Sequence, residues 1–516
     1  MAESRTHNVI KNSGASLAYK LAHIVFRFLL RTVFIRLLGN EYTGISGLFT
    51  DILSVLNLME LGLDTSMVYA LFSPVANNDQ RRISALLKFY KKAFLLIGVI
   101  ILVLGFVCIP FLHVIVKDVP NIKEDIRLIF LMYILASASS YFLIYRTMLL
   151  RAKQRSRVIS KVQIITETVE TVLTIVVLFI WREFFLYLLI HLVMTWIKNI
   201  YLSRLATKMY PESFLPSDAE MTAEEKKKLI RDIACLTVYT LSGVVINSTD
   251  SIFISAFVGT VEVAIVGNFT LIISSIRTAV EQINNSMKPS VGNLAATVSS
   301  ERQEVVFHRI TFICFWALCV SATCLFVLAN PFVGEIWLGK TYELPTTILA
   351  ILIANYFIAV MVFPVESFRT ANGLFVQGWA RPAIMAVLNI ILDYFMGRRW
   401  GIAGIFLATT ISRLLTQVWF DPYLVFKLVF GKKPWSFYKD YLLYAAVTAA
   451  SCASAAFAAQ YISIGGPIPS FVLKALIAVV IPNALIVALF HSSKDFAYVI
   501  QFLSNIKKRL LGRKAA

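Results

Sequence analysis

Apolar runs of about twenty residues, separated by short polar turns, recur from one end of this chain to the other. Their lengths predict membrane-crossing helices near 12–38, 44–72, 92–116, 127–148, 160–181, 184–206, 230–257, 262–287, 306–331, 344–364, 380–397, 401–428, 440–462 and 471–491. The expected fold class is an all-α polytopic membrane protein with about fourteen transmembrane helices. Its longest polar break, 209–229, contains Pro211, Pro216 and Glu224-Glu225-Lys226, and divides the spans into six and then eight.

A repeat crosses that break. Gly47-Leu48-Phe49-Thr50 opens the second span and Gly267-Asn268-Phe269-Thr270 the eighth, with a further echo in Gly401-Ile402-Ala403-Gly404-Ile405-Phe406 at the twelfth. Equivalent placement in each half predicts a duplicated six-helix bundle, an arrangement that puts a substrate site between the halves. The expected domains are an N-terminal lobe over 1–208, a cytoplasmic linker over 209–229 and a second lobe over 230–430. Two added helices follow in 431–493, and then a basic amphipathic tail over 494–516. Residues 441–460 are rich in alanine and serine, which permits close helix packing or leaves a smooth groove for a lipid tail.

Composition narrows the class further. Of 516 residues, 58% are hydrophobic and 15% charged, which excludes an ordinary soluble domain. The net charge of +19 would point to nucleic acid in a soluble protein, but here the cations gather in alternate loops. Arg81, Arg82, Lys88, Lys91 and Lys92 form one group, Arg146 to Lys161 the next, and Lys226, Lys227, Lys228 and Arg231 a third. The positive-inside rule then places these loops and both termini in the cytoplasm, with Arg398 and Arg399 as an exception. The first run is long, carries cations and has no small-residue cleavage site, so it reads as a retained helix. The six cysteines and six histidines show no metal-ligand spacing, and no phosphate-binding loop or recessed acid–base group stands out. The expectation is a protein that is not an enzyme and has no resident cofactor.

Chemistry is concentrated inside the spans. Lys20, His23, Arg27 and Arg31 recur at spacings of three and four, one stripe of the first helix. A charge at the bilayer centre costs roughly 2.5–3.5 kcal/mol on insertion scales, so these cations are expected to line a wet interior and meet an anion. The competing reading pairs them with Asp51, Glu60 or Asp64 of the second span. Ser274, Arg277, Glu281, Asn285 and Lys288 form a similar stripe in the eighth span, where Glu281 could instead neutralise Arg277 one turn away. Asn247 and Asp250 stripe the seventh span, and Gln163, Glu167, Glu170 and Thr174 the fifth. Asn389 and Asp393 lie in the eleventh. Such carboxylates can bind Na+, take up H+, or simply hold the bundle together.

Several segments resemble the polysaccharide-repeat flippases of the multidrug/oligosaccharidyl-lipid/polysaccharide exporter superfamily. They are Leu38-Gly39-Asn40-Glu41-Tyr42-Thr43-Gly44-Ile45, Glu60-Leu61-Gly62-Leu63, Asn247-Ser248-Thr249-Asp250 with Val266-Gly267-Asn268-Phe269, and Pro289-Ser290-Val291-Gly292-Asn293-Leu294. Asn372-Gly373-Leu374, Leu388-Asn389-Ile390-Ile391-Leu392 and Gly401–Phe406 continue the likeness over nearly the whole chain. The resemblance implies two six-helix lobes around a central cavity, two extra C-terminal helices, and alternating access. Its implied cargo is an undecaprenyl-diphosphate-linked oligosaccharide, with polysaccharide polymerases and glycosyltransferases as partners. The related lipid II flippases carry cavity arginines on the first and eighth helices, the helices that hold Arg27, Arg31 and Arg277 here. Those three, with Lys20, are the expected diphosphate ligands, and Asp250, Asn247, Glu281, Glu167 and Glu170 the expected cavity or coupling residues. A drug antiporter of the same superfamily would want an acidic cavity, and a membrane glycosyltransferase or polymerase would want acids on large outer loops.

Overall fold

The computed structural model describes residues 2–57, 63, 67–68, 70–75, 77–116, 122–153, 155–215, 220–374, 376–462, 465–501 and 504, and all its regular structure is helical. That outcome follows from the solvent. In hydrocarbon every backbone donor and acceptor must be satisfied within its own segment, and a helix does this alone. Ten helices among the described residues are long and apolar enough to cross a membrane. The longest apolar stretch, Ala380–Phe430, holds two of the spans expected from sequence: the chain folds back so closely that a Cβ on Gly404 would overlap the Met396 carbonyl, and helical geometry breaks at Gly401 with φ 57° and ψ −135°. Only glycine enters that region readily.

By contacts the chain divides into two units, Met1–Ala264 and Ile265–Ala516. The first contains α1 (Ala2–Leu37), α2 (Asn40–Leu56), α3 (Gln80–Cys108), α4 (Ile126–Ser139), α5 (Tyr141–Ala152), α6 (Ser156–Ile180), α7 (Phe184–Met209) and α8 (Ala223–Phe257). Here α1 lies along α6, α2 along α8, and α3 against α4 and α5. One core gathers Phe34, Phe49, Phe130, Tyr133 and Phe184, and a second gathers Leu63, Tyr90, Phe94, Tyr141 and Met148. Where α2 meets the backbone of Thr260, a Cβ on Gly44 would overlap the Thr260 carbonyl, so only glycine permits the approach.

The contact boundary does not coincide with the expected linker at 209–229. Its described residues on both sides of 216–219 are strapped to α3 instead. Ser213 donates to Gln80 at 2.9 Å, Lys88 reaches Glu220 at 3.5 Å, and Arg82 reaches Glu225 at 2.8 Å. Thr222 and Glu225 then start α8 with a reciprocal capping box, which satisfies two donors at the helix start.

The second unit contains most of α9 (Thr260–Thr297), then α10 (Ser300–Pro331), α11 (Thr346–Ala371), α12 (Ala380–Leu415), α13 (Gln417–Val425), α14 (Trp435–Ala459) and α15 (Pro467–Phe490). α10 is its hub, packed on α11, α14 and α15. Phe307 sits among Phe368, Phe426, Phe430 and Phe437, and Phe315 stacks on Tyr444 with ring centroids 4.1 Å apart. In the alanine-rich α14, Ala455 and Ala459 pack with Val327 and Ala478, so one face of small side chains serves close helix approach. Outward faces are apolar: Leu95, Leu96, Val99, Val103, Phe106 and Val107 of α3 are all exposed, as lipid-facing side chains are. The tail beyond 504 lies outside the described residues.

Candidate functional site

The stripe on α1 splits into two kinds of environment. Lys20 and Arg27 are exposed, whereas His23 and Arg31 are half-buried. Arg31 donates from Nη2 to the carbonyl of Ala264 at 2.8 Å, which holds its guanidinium on a backbone oxygen. Arg27, one turn away, lies close enough for the two cations to repel each other. Among the described residues no ion pair joins Arg27 to an acid. Asp51 on α2 acts on it through space while accepting a hydrogen bond from Ser251. Glu60 and Asp64, the other expected partners, lie outside the described residues.

His23 turns instead toward α6. Its Nδ1 stands 3.1 Å from Glu167 Oε2, and the Tyr19 hydroxyl donates to Glu167 Oε1 at 2.7 Å. One turn along α6, Glu170 meets His191 of α7 at 2.7 Å, and the His191 ring stacks with Tyr187. Glu167 and Glu170 are therefore both matched to histidines, and both histidines are 40% exposed or more. Tyr19 and His191 were missed in the sequence. Tyr19 sits four residues before His23 and so shares its face, a signal that was legible. His191 gave none, since only packing brings α7 to Glu170.

On α9 in the second unit, Arg277 is half-buried with its guanidinium 5.7 Å from the centre of the Phe363 ring, a cation–π contact. Among the described residues no ion pair joins it to Glu281, although the two are one turn apart. Asn284, the next polar position inward, is buried and hydrogen-bonded to Ser367 at 3.1 Å. Lys288 is exposed. Asp250 on α8 is half-buried, and the side chain of Asn247 lies outside the described residues.

Two further polar groups lie deep in the second unit. Asn389 Nδ2 is 3.3 Å from both Asp393 Oδ1 and Thr409 Oγ1, with Asn389 and Asp393 fully buried. Beside it, Thr410 donates to Asn355 at 3.1 Å. This patch is lined by carboxylate, amide and hydroxyl oxygens. Elsewhere, Asp421 is clamped between Arg369 and Arg381, at 3.0 Å from each, and all three are buried. Arg381 and Asp421 drew no attention in the sequence because they stand at different span ends, 40 residues apart. Two cations against one anion leave this cluster with a net positive charge.

Comparison with known proteins follows these features. The sequence pattern of a family described as "Polysaccharide biosynthesis protein" matches residues 9–290. No curated protein matches the chain in sequence. Among solved structures, one titled "Lipid II flippase MurJ, inward closed conformation" superposes with a TM-score of 0.64 at 14% identity, covering 93% of this chain and 99% of that one. An inward-facing multidrug resistance MATE family transporter of the MOP superfamily gives 0.53 at 14% identity, over 77% of this chain and 93% of its own. The outward-facing form of a MATE family transporter gives 0.52, also at 14%, over 79% and 92%. These likenesses are of fold, and they extend over nearly the full length of each compared chain.

Proposed function

The chain belongs to the polysaccharide biosynthesis protein family, and from that membership we propose that it is a flippase for lipid-linked oligosaccharides. Its cargo is a polyprenyl-diphosphate-linked repeat unit, moved from the inner to the outer leaflet of a bacterial cytoplasmic membrane for capsule or exopolysaccharide assembly. The termini and the basic loops lie in the cytoplasm. Fold likeness to structures titled as a lipid II flippase and as multidrug transporters supports a transporter acting by alternating access, in place of an enzyme.

The observation that carries this reading is the state of the arginines. Among the described residues Arg27 is exposed on α1 and makes no ion pair, and Arg277 lies over the Phe363 ring and likewise makes no ion pair. Cations held this way are available to a diphosphate, and a guanidinium suits phosphate because it donates two parallel hydrogen bonds. Arg31, oriented by the Ala264 carbonyl, and Lys20, nearer the cytoplasmic end, extend the stripe of Arg27 along α1.

Driving force is available from the membrane itself. One charge crossing 100 mV is worth about 2.3 kcal/mol, so a doubly charged headgroup leaving an inside-negative cell gains roughly twice that. Return of the empty carrier would use a proton or sodium ion. Glu167 and Glu170, each beside a histidine, suit a proton. Asp393 with Asn389 and Thr409 offers oxygens that suit a small cation, and Asp250 and Glu281 are two further acids within the helices.

A reconstituted assay tests the proposal. Proteoliposomes carrying a fluorescent polyprenyl-diphosphate oligosaccharide should show leaflet exchange with the native protein, and should lose most of it with Arg27→Ala, Arg31→Ala and Arg277→Ala at unchanged melting temperature. Normal exchange in all three variants would refute the assigned diphosphate ligands. Export of a fluorescent organic cation with no lipid exchange would support the drug-antiporter reading instead.

A further inference from the structure

The first unit contains a cavity of about 810 Å³ that shares no residue with the arginine stripe. It lies between α3 and α8, which pack on other helices, α3 on α4 and α5 and α8 on α2. Lys88, Lys92, Leu96 and Ile100 run down one face of α3 at steps of four, and Phe89, Ala93 and Ile97 run beside them. Opposite, Lys226, Ile230, Ile233 and Thr237 run down α8 at steps of three and four. Both stripes begin with lysine and continue in the same direction as mostly apolar side chains, with Thr237 at the far end of the α8 stripe. The Arg82–Glu225 and Lys88–Glu220 pairs hold the two basic ends together.

The wall is thus amphipathic along its length. From Lys92 to Ile100 the helix rises about 12 Å, the distance from a headgroup to the upper acyl chain. Leu63 and Ile97 form the buried floor, while Leu96 and Ile230 are 61% and 56% exposed and leave the flank open. At the charged end, three lysines face one acid. Lys88 is tied to Glu220, whereas Lys92 and Lys226 have no ion-pair partner among the described residues. A free anion would gain the lysines and leave the hydrocarbon wall unused. A neutral lipid would fill the wall and leave the lysines unmatched.

We propose that this cavity binds an anionic phospholipid of the cytoplasmic leaflet, with its phosphate on Lys92 and Lys226 and an acyl chain between α3 and α8. Basic pockets between membrane helices on the cytoplasmic side recognise anionic headgroups in this manner. The occupant is a resident lipid, and the site does not depend on the cargo assigned above. Its position gives it a structural consequence: it fills the space that α8 and the segment around Glu220 and Met221 leave beside α3.

Native mass spectrometry of the full chain, released from nanodiscs of mixed composition, tests this. Phosphatidylglycerol should be retained and should raise the melting temperature, while phosphatidylcholine and inorganic phosphate should do neither. Each lysine near an anionic surface contributes about a five-fold preference, so the Lys92→Gln, Lys226→Gln double variant should retain phosphatidylglycerol roughly 25-fold less well. Lys92→Arg with Lys226→Arg should restore it. Glu220→Gln, which releases Lys88, should strengthen retention, an outcome that misfolding cannot imitate. Equal retention of phosphatidylglycerol by the native protein and the double glutamine variant would overturn the proposal. Displacement of phosphatidylglycerol by polyprenyl diphosphate at equal mole fraction would overturn it too, and would give the cavity to the cargo.

Discussion

His23 Nδ1 lies 3.1 Å from Glu167 Oε2, which fastens the cationic stripe of α1 to the acidic stripe of α6. Tyr19 supports the same carboxylate from one turn earlier. The pair is partly open to solvent, so its energetic weight is modest. A double-mutant cycle with His23→Gln and Glu167→Gln should give a coupling of about 0.5–1 kcal/mol, read from denaturation in detergent. Additive effects would mean that the contact does not form in solution.

The Arg369–Asp421–Arg381 cluster should behave differently, because it is buried. Removing the acid leaves two cations in a low-dielectric site. Asp421→Ala is expected to cost about 3–5 kcal/mol, visible as a large fall in melting temperature. Replacing all three residues by leucine or methionine should recover most of that loss, since no uncompensated charge remains. If the triple variant were no more stable than Asp421→Ala, desolvated charge would not be the cause.

Outside the membrane-spanning segments, Asp495 gives a pH dependence. Its carboxyl is pushed above the usual carboxylate range, first by burial, with His308 and Arg309 opposing and Asp440 adding to the rise. A raised folded-state value means that the folded form holds the proton more tightly. The contribution to stability is then fully present below the ordinary carboxylate value of about 3.8 and is lost as pH rises through the raised one. The docked segment after α15, where Phe496 stacks on Trp316 and Tyr498 lies under Arg309, should accordingly loosen as pH rises. Asp495→Asn should remove this part of the dependence and slow hydrogen exchange of the segment at neutral pH.

Much of this architecture was legible in the chain because a bilayer imposes one period and one length. Helical class and the rough limits of most spans follow from apolar runs, and the stripes follow from spacings of three and four. Spans eleven and twelve show how far that reasoning reaches. Apolar length separates them, and helical geometry does break at Gly401, but the tightness of that turn, which brings Gly404 against the Met396 carbonyl, appears only in the backbone. The site was legible in part. Arg27, Arg31 and Arg277 announce themselves as cations in apolar surroundings. Their partners do not: an Ala264 carbonyl and the Phe363 ring carry no signal in a sequence, since any residue has a carbonyl and phenylalanine is abundant here. The capture of His23 by Glu167 was hidden for the same reason, because it depends on which helix lies against α1.

The demand for a guanidinium at Arg27 can be separated from the demand for charge. Arg27→Lys keeps the cation and shortens its reach, but replaces a planar fork with a point charge that solvates more strongly. If the diphosphate is held by paired hydrogen bonds, the lysine variant should exchange lipid about ten-fold more slowly than the native protein, and Arg27→Ala more slowly still. If the residue only sets the local potential, lysine should be nearly as good as arginine. Arg31 provides the internal comparison. Its Nη2 is spent on the Ala264 carbonyl, so Arg31→Lys should lose orientation as well as the fork and fall further than Arg27→Lys. The ordering of the three variants, measured as initial rates in the same proteoliposomes, separates recognition by geometry from attraction by charge.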